Sequence, residues 1–175
     1  MSMNWKAILA SMAMALAVAT AQADSAKREV QALSAKVSLT DAIRMAEREG
    51  NGKAIDATYK AASSGVGEYK VQVMSADGKR LTEYRLDGAN GHIRAAGNET
   101  FEKWFTRLHP QDINNASISL TSAIKTAEEH ASGTATDAEI YRKGDSVRYD
   151  VKVVKNDGTT ENVKVDGNGH LASAK

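Results

Sequence analysis

An internal repeat is the feature that most constrains what this chain can fold into. The segment Val37–Glu49 aligns with Ile118–His130, and seven of the 13 positions are identical, where chance would give about one. Further matched pairs follow at offsets that fall from 81 to 78 residues: Gly52 and Gly133, Asp56 and Asp137, Tyr69 and Tyr149, Val71 and Val151, Val73 and Val153, Asp87-Gly88 and Asp166-Gly167, and Gly91-His92 and Gly169-His170. The chain therefore contains two copies of one unit of about 55–60 residues.

Each repeat is predicted to begin with an amphipathic helix. Ser38 is a typical N-cap residue, and Asp41 adds negative charge to the first turn. Apolar residues then recur at helical spacing: Leu39, Ala42, Ile43 and Ala46, and in the second repeat Leu120, Ala123, Ile124 and Ala127. Gly50-Asn51-Gly52 and Gly133 are predicted to end the two helices, because glycine takes the left-handed conformation without penalty.

The rest of each repeat alternates apolar and polar residues with a period of two, which predicts strands with one buried and one solvated face. Asp77-Gly78 and Asp157-Gly158 are typical hairpin turns. The expected fold class is α+β: two tandem repeats, each with one helix packed on a three- to four-stranded antiparallel sheet. Because a unit of about 60 residues is marginal alone, we expect the units to pack on each other or on the segment between them.

Residues 1–23 are predicted to be a secretory signal peptide. Lys6 is followed by the uncharged stretch Ala7–Ala19, and Ala21-Gln22-Ala23 is a typical cleavage pattern. This stretch of 13 residues is too short for a transmembrane helix, which needs about 20. No later stretch is apolar enough to span a membrane, so the mature chain from Asp24 is expected in the periplasm or outside the cell, without a membrane span.

The expected organisation is a signal peptide (1–23), an N-terminal arm (24–36), a first repeat (37–96), a connector (97–117) and a second repeat (118–175). Within the connector, Phe101, Trp104, Phe105 and Leu108 are spaced as one face of an amphipathic helix. That helix is expected to end near His109-Pro110. The aromatic stripe has two interpretations, packing between the repeats or an exposed anchor for a partner. The candidate binding residues are these three aromatics with Tyr69 and Tyr149.

Composition and motifs exclude several classes of function. Cysteine is absent, which excludes disulfides, thiolate metal sites and cysteine nucleophiles. Lys and Arg total 23 against 22 for Asp and Glu, so there is no basic field for nucleic acid. No catalytic or nucleotide-binding motif is found, and we expect no enzyme activity, no cofactor and no metal. The one weak alternative is a metal held by His92 and His170, which follow equivalent turns.

The repeats resemble the PepSY domain. The resemblance rests on Val37–Ile43 with Ala46 and Glu47, on the strand Tyr69–Val73, and on the turn Leu86–Gly91. The second repeat matches at Ile118–Ile124, Tyr149–Val153 and Val165–Gly169. The resemblance implies a helix-and-sheet module of exported or membrane-bound bacterial proteins that is not known as a catalyst and is proposed to inhibit peptidases or bind proteins. No peptidase follows the second repeat in this sequence, so any inhibition is expected to act in trans.

Two functions are consistent with these observations. The first is an exported, non-catalytic module that binds a protein or peptide, such as an envelope protein or a peptidase. It would use an exposed sheet edge, a groove on the polar sheet face or the aromatic connector. The second is a periplasmic small-ligand or metal sensor that uses the cleft between the repeats. An enzyme of unrecognised type is the least favoured alternative.

Overall fold

The computed structural model describes residues 29–99 and 108–172. In these ranges the chain has three complete helices and seven strands, preceded by a helical turn at residues 29–33. The helices are α1 (Leu39–Gly50), α2 (Pro110–Asn114) and α3 (Leu120–Ala131). The strands are β1 (Gly52–Lys60), β2 (Glu68–Ser75), β3 (Leu81–Asp87), β4 (Ile93–Glu99), β5 (Gly133–Lys143), β6 (Ser146–Lys155) and β7 (Thr160–Asp166).

The strands form one continuous sheet in the order β4-β3-β2-β1-β5-β6-β7, with every neighbouring pair antiparallel. The fold is therefore α+β, as predicted, but the expected pair of separate sheets is wrong. The first strands of the two repeats, β1 and β5, pair with each other and join the two halves. This pairing satisfies backbone groups that would otherwise lie along two open edges.

The centre of the β1–β5 pairing is the residue pair Ala57 and Ala138. These two residues are equivalent in the repeat alignment, because their numbers differ by 81. The strands run antiparallel, so an approximate twofold axis relating the repeats passes between them. Residues on either side of this axis are therefore brought together in equivalent pairs.

The starts of both long helices are as predicted. The Ser38 hydroxyl accepts a hydrogen bond from the backbone N–H of Asp41, and the Ser119 hydroxyl accepts one from Ser122. The apolar stripe of each helix is buried against one face of the sheet. Helix α1 contacts mainly β1 and β2, and α3 contacts β5, β6 and β7.

Both long helices end near the predicted glycines, but Gly52 and Gly133 do not take the left-handed conformation. The left-handed residues are Asn51 and Ser132, not the glycines that follow them. Gly52 and Gly133 are needed for close packing instead. A Cβ on Gly52 would lie 2.0 Å from the carbonyl oxygen of Met74, and one on Gly133 would lie 2.4 Å from that of Val154.

The connector starts later than the predicted boundary. Strand β4 runs to Glu99, past the expected end of the first repeat at residue 96. Pro110 begins α2, where its missing N–H costs nothing and its fixed φ suits the first turn. The predicted amphipathic helix falls largely on residues 100–107, outside the described ranges.

Candidate binding surfaces

The sheet face opposite the helices carries a shallow polar groove. It crosses β1, β5, β6 and β7 near the twofold axis and has a volume of about 540 Å³. The side chains that line this polar groove include four carboxylates and two ammonium groups: Asp56, Asp137, Glu139, Asp150, Lys152 and Lys164. An extended polar segment could lie in such a groove and pair with both signs of charge.

Asp56 is the most perturbed acid in the polar groove. Its backbone pairs with Glu139 across the β1–β5 seam, and Asp137 lies opposite Thr58, two residues along. Burial, together with the neighbouring charges of Glu139 and Asp137, raises the pKa of Asp56 to about 6, while the charges of Lys60 and Lys70 oppose the shift. Carboxylates are thus concentrated at the seam, where a cationic group of a ligand would be stabilised.

The end of the N-terminal arm reaches the polar groove. The carboxylate of Glu29 lies 3.6 Å from the ammonium of Lys152. The Gln31 side chain exchanges two hydrogen bonds of 3.0 Å with the backbone of Ala62, and Ala32 is buried. The described part of the arm is therefore packed against the folded domain.

A second concavity lies on the helix side, between the two repeats. This inter-repeat cleft has a volume of about 310 Å³. It is lined by the end of α1, the start of β1 and the segment that leads into α3, with Ile140 and Tyr149 also contributing. The Lys53 ammonium donates to the carbonyl oxygen of Ile113 at 3.3 Å and so ties β1 of the first repeat to helix α2 of the connector beside the cleft.

Tyr69 and Tyr149 belong to the core. Their rings are 3% and 0% exposed. The Tyr69 hydroxyl donates to the carbonyl oxygen of Val37 at 2.6 Å, and the Tyr149 hydroxyl donates to that of Ile118. Burial raises the pKa of the Tyr149 phenol to about 12 and raises that of Tyr69 as well. Both rings tie a strand to the chain entering a helix, and their part in ligand binding stays a prediction.

The three aromatic residues predicted for the connector, Phe101, Trp104 and Phe105, lie outside the described residues. Their role as packing or anchor residues stays a prediction.

The histidine pair proposed as a metal site is not brought together. His92 follows β3 and His170 follows β7, and five strand spacings separate these two strands. At about 4.8 Å per spacing, the separation is roughly 24 Å. In residues 29–99 and 108–172, no group of three His, Asp or Glu side chains could hold a metal ion. The expectation that His92 and His170 could share a metal is therefore wrong.

The groove residues Asp56, Asp137 and Glu139 were missed as a site by sequence reasoning. The repeat alignment already pairs Asp56 with Asp137, which is the one signal that was available. It could not locate the cluster, because these residues become neighbours only through the pairing of β1 with β5.

Comparison with known families identifies the second half of the chain. Residues 117–168 match the family model described as "Peptidase propeptide and YPEB domain", PepSY. The second repeat thus matches the PepSY family over these residues. The matched segment comprises α3 and strands β5 to β7. The PepSY resemblance predicted from the sequence is therefore confirmed for the second repeat. PepSY domains are generally non-catalytic propeptide or regulatory domains.

Other comparisons add little to the PepSY assignment. No curated protein matches the chain. A solved structure from Clostridium difficile 630, described as a "putative lipoprotein", is similar with a TM-score of 0.46 and 16% identity, over 79% of this chain and 92% of that one. None of the helices in the described ranges has both the length and the apolarity to cross a bilayer.

Proposed function

We propose that this protein is an exported, non-catalytic module that binds an extended segment of another protein and thereby regulates a peptidase of the cell envelope. Each repeat would act as a PepSY-type unit of one helix on an antiparallel sheet. The observation that carries the proposal is the polar groove, which lies where the two repeats join. It exposes both signs of charge along several strands, as recognition of an extended polar segment requires.

The sequence and the family support the other parts of this proposal. Residues 1–23 have the pattern of a signal peptide, which supports export. The match at residues 117–168 supports a regulatory or binding role related to peptidases. In this proposal the regulated peptidase is a separate chain.

The proposal is tested by capture from the periplasm of the natural host. Tagged Asp24–Lys175 is expressed there, and the proteins that copurify are identified by mass spectrometry. The same experiment is run with Thr58→Arg, which fills the polar groove with a side chain that its acids can accept. The matched control is Thr126→Arg, on helix α3 and away from the groove. Both variants are first checked for folding by circular dichroism.

The expected result is a peptidase or envelope protein in stoichiometric amount, lost with Thr58→Arg and kept with Thr126→Arg. If the partner is a peptidase, its turnover of a standard substrate should fall when the wild-type chain is added and should not fall with Thr58→Arg. Capture of nothing above background, or equal capture by all three chains, would contradict the proposal.

A second candidate function is the sensing of a small ligand in the inter-repeat cleft. The observation that favours it is the cleft itself, which offers the Lys53 ammonium and the Glu47 carboxylate beside apolar side chains. A ligand that binds there should raise the melting temperature of the full chain. The rise should be lost with Ala116→Leu, which narrows the cleft, and kept with the exposed control Ala95→Leu. A flat response to periplasmic small molecules would exclude this function.

A further inference from the structure

The two outer edges of the sheet are not equivalent, although the repeats are. In the first repeat, β4 pairs with β3 along its length, from Leu81 to Leu86. In the second repeat, β7 corresponds to β3. The chain that follows β7 turns back in the same way as the chain that follows β3. The backbone N–H of Asp166 donates to the carbonyl oxygen of His170, as that of Asp87 donates to His92.

Beyond this common start, the pairing along β7 is much shorter within the described residues. It consists of the bridge between Val165 and Leu171 and one hydrogen bond, from the N–H of Ala172 to the carbonyl oxygen of Lys164. The remaining edge, from Thr160 to Val163, has no strand beside it in residues 29–99 and 108–172.

The direction of the backbone groups along β7 follows from these bonds. The carbonyl of Lys164 and the N–H of Asp166 point outward, and backbone groups of alternate residues in a strand point to the same side. The N–H and C=O of Asn162 therefore also point away from β6. Such a row of outward donors and acceptors is a template for one more antiparallel strand.

An exposed apolar side chain lies at the start of this edge. Leu171 is 46% exposed, whereas its counterpart Ile93 is packed against the core. In the first repeat β4 continues beyond Ile93 and extends the sheet. A strand added beside β7 would extend the sheet in the same way next to Leu171 and remove apolar surface from water.

We infer that the outer edge of β7 from Thr160 to Val163, beyond the part already paired with Leu171 and Ala172, receives an extended segment of the partner protein as an eighth antiparallel strand. This part of the edge corresponds to Leu81–Tyr84 of β3, which the end of β4 covers. The segment would place its backbone opposite Asn162 and Thr160 and would carry apolar side chains on the face that turns toward Leu171. This inference rests on the proposed function, because it names how the bound protein is held. It concerns a different surface from the polar groove.

The strand β4 supplies a rational probe for the test. A synthetic peptide with the sequence of residues 93–99, Ile-Arg-Ala-Ala-Gly-Asn-Glu, is titrated into isotope-labelled Asp24–Lys175, and a scrambled peptide serves as reference. Binding is followed by NMR shifts and by amide hydrogen exchange. The expected result is slower exchange at Thr160 and Asn162 with the β4 peptide and no change with the scrambled one.

Two proline variants decide whether the edge is responsible. Asn162→Pro removes one outward N–H from β7 and leaves the pairing with β6, which edge strands tolerate. Asn98→Pro makes the same change on the outer side of β4, at the opposite edge of the sheet. We expect Asn162→Pro to weaken binding of the β4 peptide at least tenfold and Asn98→Pro to leave it unchanged.

Several results would overturn the inference. They are unchanged exchange at Thr160 and Asn162 at millimolar peptide, equal binding by both variants, or binding only after residues 173–175 are removed. The last result would identify the chain's own end as the occupant. If partner capture survives Asn162→Pro but is lost with Thr58→Arg, the proposed function stands and the strand-addition inference is wrong.

Discussion

The side-chain carboxylate of Glu47 accepts a hydrogen bond of 2.9 Å from the backbone N–H of Ala54. The bond joins the last turn of α1 to the first residues of β1. Glu128 makes the same bond to Ala135 at 2.8 Å. In both repeats burial raises the pKa of the glutamate, and the bond to the backbone N–H opposes that shift. The repetition indicates that this contact fixes the angle between each helix and its strand.

Glu47→Ala should destabilise the protein, because it leaves the half-buried N–H of Ala54 without its acceptor. We expect a loss of about 1–3 kcal/mol in the free energy of unfolding, measured by urea denaturation. Glu128→Ala should cost a similar amount. The control is Glu49→Ala on the exposed side of the same helix, which should change stability by less than about 0.5 kcal/mol. Equal losses for Glu47→Ala and Glu49→Ala would contradict this role.

Asp56→Asn should stabilise the protein at neutral pH. The folded pKa of Asp56, about 6, lies above its ordinary value of 3.8, so the folded state binds the proton more tightly than the unfolded state. The stability that this tighter proton binding gives the folded state is fully present below about pH 3.8 and is lost as the pH rises through 6. At pH 7.5 the variant should be more stable than wild type by up to about 3 kcal/mol.

The advantage of Asp56→Asn should shrink steadily as the pH falls and should disappear near pH 3.8. Thermal unfolding across pH 3.5 to 8 measures it. The exposed hairpin variant Asp145→Asn is the matched control and should differ little from wild type at either end of the range. A stability gap for Asp56→Asn that is independent of pH would show that charge burial is not its cause.

Tyr69→Phe and Tyr149→Phe should each remove one buried hydrogen bond between a strand and the chain entering a helix. Each substitution should lower the free energy of unfolding by about 1–2 kcal/mol. The two sites lie three strand spacings apart, about 14 Å. The losses should therefore add in the double variant to within about 0.5 kcal/mol. A marked departure from additivity would show that the two hydrogen bonds do not contribute independently to stability.

Gly67→Ala should be strongly destabilising. A Cβ at this position would lie 2.0 Å from the carbonyl oxygen of Lys60 and 2.8 Å from the ring of Tyr59, whose hydroxyl accepts the Gly67 N–H. Forced overpacking of this kind costs typically about 1–3 kcal/mol, measurable as a lower urea midpoint. The control is Gly97→Ala in β4, where a Cβ meets open space. That change should be neutral or slightly stabilising, and a loss as large as that of Gly67→Ala would contradict the steric explanation.

The second repeat shows a different solution at the equivalent positions. Ile140 stands where the first repeat has Tyr59, and Val147 stands where it has Gly67. Both are buried. A large ring beside a glycine has thus been replaced by two medium aliphatic side chains. The repeats share a backbone plan while filling the core differently.

Much of the local structure was determined by the sequence alone. The caps Ser38 and Ser119, the apolar stripes of α1 and α3, and the alternation in β2 and β6 depend on contacts within a few residues, so periodicity and hydrogen-bonding chemistry were sufficient to predict them. The PepSY resemblance was also carried by such short motifs.

Only the tertiary structure decided how the halves join and where ligands could bind. Alternation gives a strand two faces but does not choose its neighbour, so the pairing of Ala57 with Ala138 could not be predicted from either repeat alone. The acids of the polar groove become neighbours through that pairing, and Gly52 needs to be glycine because Met74 approaches it from another strand. Local propensities are read from adjacent residues, whereas a strand's partner depends on which edges the whole sheet leaves unpaired.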